Sequence, residues 1–134
     1  MHSLEFERLH IYADPLGIAV PITLRAGREA VDLPARVDTG SEYCIFERAY
    51  GERLGLQIEA GDQKRIGTAS GSAFRAFGHM VTLEFLEYSL ESMVYFAEDV
   101  GFNRNVLGRN GWLNRCRIAI VDHDQLLYVS PYTR

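Results

Sequence analysis

The sequence predicts a mainly β fold built as one domain over residues 1–134, with one or two short helices. Apolar residues recur at every second position in several short runs, turn-forming residues separate those runs, and only one stretch switches to a helical spacing. At 134 residues and 47% hydrophobic content the chain can bury one core, and no Pro/Ser-rich linker or shift in composition divides it.

Leu4, Phe6, Leu9 and Ile11 alternate with polar residues but change phase near Glu7-Arg8, as in a bulged or bent strand. Pro15-Leu16-Gly17 turns the chain. Ile18 to Leu24 forms a second strand, Ala26-Gly27 a hairpin turn, and Val31, Leu33, Ala35 and Val37 place every second residue on one face. Pro21 and Pro34 each lack a ladder donor, so their strands need an open edge or an irregularity there. From Phe46 to Leu56 the period becomes helical, with Phe46, Tyr50 and Leu54 at i, i+4 and i+8, charged residues between them, and Gly55 as the stop.

Residues 66–73 are small and lie between two strand-like arms, which reads as a long hairpin loop. Phe77, His79, Val81, Leu83 and Phe85 share one face, and Leu90, Ser92, Val94 and Phe96 form another alternating set, so the sheet is mainly antiparallel. Asn105 to Leu113 offers a buried pair, a glycine and one helical turn. Arg117 to Val121 and Leu126 to Val129 close as a hairpin at Asp122-His123-Asp124.

Composition removes several functions. A net charge of −4 without any Lys/Arg run argues against a nucleic-acid surface, which normally shows a basic patch. No apolar stretch reaches the ~20 residues that span a bilayer, and the opening Met1 to Glu7 lacks a basic and an apolar region, so no membrane partner and a cytoplasmic location are expected. Cys44 and Cys116 belong to no Cys-x-x-Cys pattern and are expected to be reduced thiols without a chemical role.

The chemistry gathers at Arg36-Val37-Asp38-Thr39-Gly40-Ser41. A strand that stops on Asp38 can hold a carboxylate rigidly at its end, Thr39 adds a hydrogen-bonding side chain, and Gly40 admits a second backbone. Three turn formers in a row are by themselves usually only a turn. Gly67-Thr68-Ala69-Ser70-Gly71 is not Gly-x-Ser-x-Gly, and no His and acid stand beside Ser70, which argues against a serine hydrolase. His79 on an apolar face reads as a hydrogen-bonded core histidine. Asp122-His123-Asp124 reads as a turn rather than a metal site. No metal or cofactor is expected.

Val37 to Ser41, the Glu52-Arg53-Leu54-Gly55-Leu56 helix end, the Gly/Ser hairpin and Val106-Leu107-Gly108-Arg109-Asn110 occur in the order found in retropepsin-like aspartic proteases. That family includes retroviral and retrotransposon proteases and related single-domain bacterial proteins, and the resemblance runs from about residue 18 to residue 129. Gly111 stands as an extra residue relative to the retrotransposon pattern. The resemblance implies a closed β-barrel and an aspartic endopeptidase. Such hydrolysis needs two carboxyl groups around one water, and no other Asp here precedes Thr/Ser-Gly, so the expected assembly is a homodimer with Asp38 from each subunit.

The resemblance also assigns supporting roles. Thr39 would hydrogen-bond across the dimer axis, Gly40 would present its carbonyl to an extended peptide or protein substrate, and Ser41 would hold the loop from outside. Gly108 would let Val106-Leu107 pass close behind the loop, and Arg109 would form an ion pair with Glu42. Thr68, Ala69, Ser70, Gly71 and Ser72 would form a flap that closes over the substrate. A non-catalytic dimeric barrel that binds peptides or partner proteins is the alternative, since a fold does not guarantee activity.

Overall fold

In the computed structural model, which describes residues 1–15 and 17–132, most strands follow the alternating apolar pattern. In chain order they are β1 (Arg8–Ile11), β2 (Ala19–Ala26), β3 (Glu29–Val37) and β4 (Ile45–Phe46), then α1 (Arg48–Arg53), β5 (Asp62–Gly67), β6 (Ala73–Phe85), β7 (Tyr88–Ala97), β8 (Val106–Leu107), β9 (Cys116–Val121) and β10 (Leu126–Pro131). Short 3-10 turns occupy Ile58–Ala60, Leu113–Arg115 and Asp122–Asp124. Leu16, in the middle of the expected Pro15-Leu16-Gly17 turn, lies outside the described residues.

The β2–β3 hairpin runs from Ala19 opposite Arg36 to Ala26 opposite Glu29, and Gly27 takes φ +58 in its turn. Val20, Ile22 and Leu24 face the core with Val31, Leu33 and Ala35. Pro21 lies opposite Pro34, both exposed. The next neighbours begin only at Ile22 on one side and Arg36 on the other, so no third strand needs the missing N–H groups.

Pairing runs as a circuit from β2 through β3, β8, β4, β7 and β6, and returns to β2 where Ile22 meets Phe85. This is consistent with the expected barrel, although closure is not strict: β4 and β8 are two residues long and meet through the single pair Ile45 and Val106. The β3–β8 and β4–β7 pairs are parallel and the others antiparallel. Phe46, Leu83, Phe96, Leu107 and Trp112 are fully buried inside, each contributing roughly 1.5–3 kcal/mol of hydrophobic stabilisation. Trp112 meets Phe85 edge to face at 5.7 Å. β5 pairs with the first half of β6 and projects beyond the circuit.

Two expectations change. The helix begins at Arg48 rather than Phe46, because Phe46 is a strand residue paired with Phe96. Its end is as expected: Leu56 N–H donates to Gly51 O, Gly55 N–H to Glu52 O, and Gly55 takes φ +77, a Schellman termination. The first strand covers only Arg8–Ile11, and Leu9 and Ile11 are 51% and 66% exposed. β1 joins β10 and β9 in a separate three-stranded sheet that buries Leu127 and Val129 on its inner face. Leu9 and Ile11 share the outer face with Ala119, Val121, Leu126 and Tyr128, so their alternation marks a strand without marking the core. Among the described residues no helix is long and apolar enough to cross a membrane.

Candidate active site

β3 delivers Asp38 to the edge of the barrel. Its last residues are held from both sides: Arg36 N–H donates to Asn105 O, Val37 N–H to Ile18 O, and Asp38 N–H to Leu107 O at 3.0 Å. Beyond Asp38 the chain turns back on itself. Ser41 N–H donates to Asp38 O, and Gly40 N–H donates to the carboxylate Oδ1 at 3.0 Å, an Asx turn that fixes the direction of the acid. Ser41 Oγ donates to Tyr43 O at 2.7 Å and ties the far side of the loop. Thr39 is exposed, and its hydroxyl makes no hydrogen bond with the described residues.

Gly108 lies behind this loop. A Cβ there would fall 2.2 Å from Tyr43 O and 2.7 Å from Ser41 O, both backbone atoms, so only glycine fits. The strands then run together: Arg109 N–H donates to Ser41 O, and Asn110 donates to Glu42 O from both its backbone and its side chain. The backbones of 42 and 109 are thus neighbours, but no ion pair joins the side chains of Glu42 and Arg109. The backbone ladder fixes this crossing without help from charge. Gly111 takes φ +104, and its carbonyl accepts from buried Ser92 Oγ at 2.7 Å.

The ion pair at the site is a different one. Arg104 Nη2 approaches Asp38 Oδ2 at 3.3 Å. Nothing local in the sequence announces it, since Arg104 arrives on the loop that precedes β8. That loop is anchored by Asn105, whose side chain accepts from Glu47 N–H and donates to Glu47 Oε2, and by Phe102, whose ring packs tilted against Phe74 at 4.9 Å. Arg36, Asp38, Arg104 and Val106 line a cavity of about 330 Å³ with Asp14 and Ile18.

The 68–72 tip is an exposed hairpin end. Thr68 N–H donates to Ser72 O, Gly71 takes φ +87, and the hydroxyls of Thr68, Ser70 and Ser72 lie within 2.8–3.2 Å of one another. Ala69 is exposed beside them. Every hydrogen bond recorded at this tip is internal, and none reaches Asp38.

The residues set aside by sequence reasoning have structural partners. His79 Nε2 donates to Ile58 O at 2.9 Å, because a carbonyl can only accept. Asp122 accepts from the Tyr12 hydroxyl at 2.5 Å. Cys44 and Cys116 are buried free thiols, and Gly108 N–H donates to Cys44 Sγ at 3.4 Å. Among the described residues no cluster of three or more His, Cys, Asp or Glu side chains is placed to hold a metal ion.

A family model described as aspartyl protease matches residues 20–110, a span that holds both the Asp38 loop and Gly108. Among solved structures the chain is similar to the EIAV protease, a retroviral enzyme solved with the inhibitor HBY-793. Identity there is 19% over 73% of this chain and 86% of that one, with a TM-score of 0.56, a likeness that speaks for the fold. A search of curated proteins finds no match. With its Asp-Thr-Gly loop carried on a retropepsin-like barrel, the chain belongs to the aspartyl protease family.

Proposed function

We propose that the protein is an aspartic endopeptidase whose active site forms when two copies meet and bring Asp38 of each to one water molecule. The observation that carries this reading is the oriented Asp38 carboxylate, held by Gly40 N–H at the end of a strand and beside a cavity. One subunit supplies one such acid, and a symmetric dimer supplies the other half of the site.

In the proposed reaction the dyad holds one shared proton, because two close carboxylates do not both ionise readily. The ionised acid takes a proton from the water as its oxygen bonds to the scissile carbonyl carbon. The protonated acid gives its proton to the carbonyl oxygen, producing a neutral tetrahedral diol. Return of one proton to the amide nitrogen lets the C–N bond break, and the dyad regains its single proton. Thr39, exposed and without a hydrogen-bond partner among the described residues, is proposed to bond across the axis. Residues 68–72 are proposed to close over the peptide, which would lie as an added strand.

The test is Asp38→Asn. Purified wild type should cut members of a peptide library at mildly acid pH and the variant should cut none, with both dimeric by sedimentation. A strictly monomeric wild type, or wild type that cuts nothing, would sink the reading.

A further inference from the structure

We infer that Arg104 is a specificity-determining residue that recognises an acidic side chain next to the bond being cut; this rests on the proteolytic function proposed above. Of the two Asp38 oxygens, Oδ1 is occupied by Gly40 N–H and Oδ2 faces Arg104. Oδ2 is the oxygen left for a water or a second carboxyl, and in the single chain the guanidinium covers it. The arginine must swing aside for the dyad to assemble.

It can do so cheaply. The Arg104 side chain is 64% exposed, and a lone ion pair of that kind contributes about 0–1 kcal/mol. Its backbone, in contrast, is pinned. Asn105 grips Glu47 at two points and its carbonyl accepts from Arg36 N–H, while the Phe102 ring packs tilted against Phe74. The result is a mobile guanidinium on a fixed stem at the rim of the Asp38 cavity. A carboxylate entering there can pair with the guanidinium in two-pronged fashion and draw it off Oδ2. An amide of the same shape gives a weaker contact; Arg36, in the same cavity, is itself paired with Asp14 at 2.9 Å, so the charge preference rests on Arg104.

The test uses sets of peptides that differ only by Glu, Gln or Lys at the positions flanking the scissile bond. Wild type should favour the Glu peptide in kcat/KM by about tenfold or more at one of those positions. Arg104→Gln should bring the Glu/Gln ratio close to one, Arg104→Lys should keep part of it, and Arg104→Glu should turn the preference toward Lys. Because the ratio compares two substrates of the same variant, losses in folding or assembly cancel from it. Cleavage by wild type with a ratio near one, or a ratio unmoved by Arg104→Gln, overturns the inference and leaves the proteolytic reading standing. Cleavage of no peptide by wild type overturns both.

Discussion

Gly108 sits directly against the backbone of Tyr43: a Cβ on residue 108 would lie 2.2 Å from the Tyr43 carbonyl oxygen and 2.6 Å from its carbon. Neither atom can rotate away, since both belong to the backbone segment that carries the Asp38 loop into β4. Gly108→Ala should therefore force the loop and β8 apart and cost about 3 kcal/mol, the upper range for overpacking. Gly67→Ala, at a site with nothing within 4 Å, should stay within about 0.5 kcal/mol. Urea unfolding of the two variants checks the contrast, and equal effects would contradict it.

Thr39 offers a cleaner reading of assembly than Asp38 does. Its hydroxyl has no partner within the described chain, so its removal should not weaken a single subunit. Thr39→Ala should raise the dissociation constant of the proposed dimer by about tenfold, or about 1.4 kcal/mol, and Thr39→Ser should restore most of the loss. Sedimentation across a dilution series measures it. An unchanged dissociation constant would remove Thr39 from the interface.

Stability should fall in alkali. Burial pushes the Cys44 thiol from an ordinary 9.0 up to about 12, although Gly108 N–H acts in the opposite direction. Burial, with a contribution from Cys44, raises Cys116 to about 12 as well. Burial and then the Asp122 carboxylate raise the Tyr12 hydroxyl from 10.0 to about 12. Each group holds its proton more tightly folded than unfolded, so the folded state binds more protons once pH passes the ordinary values. Full stability is expected below pH 9.0 and progressive loss from there to about 12. Denaturant midpoints measured from neutral pH to pH 11 should decline, with Tyr12→Phe flattening the part above 10.0; a level profile would contradict the burial of all three.

Much of this architecture was legible because its strands are amphipathic in the simplest way. Val31, Leu33 and Ala35, and Val81, Leu83 and Phe85, alternate in sequence and are buried in the structure. Gly55 ended its helix where the chemistry of a positive φ requires. Phe46 was misplaced because i, i+4, i+8 spacing joined a strand residue to a helix by coincidence. Its true neighbours, Phe96 beside it and Val106 against Ile45, are distant in sequence. Leu9 and Ile11 alternated correctly but on a sheet whose outer face is open, and alternation cannot say which side the core lies on. At the site, the Asp38 turn followed from local residue types. The Arg104 contact did not, because closure of the barrel alone brings the 104 loop to Asp38, and the expected Glu42–Arg109 pair was replaced by backbone hydrogen bonds between the same two segments.

The order in which the barrel is stitched has a consequence for synthesis. β8, a late two-residue strand, inserts between β3 and β4, which leave the ribosome long before it. Until Val106 and Leu107 emerge, the strand that carries the acid has a bare edge at its end, and so does β4. Chains truncated before Val106 are expected to present those edges to one another and to aggregate more readily than the full chain.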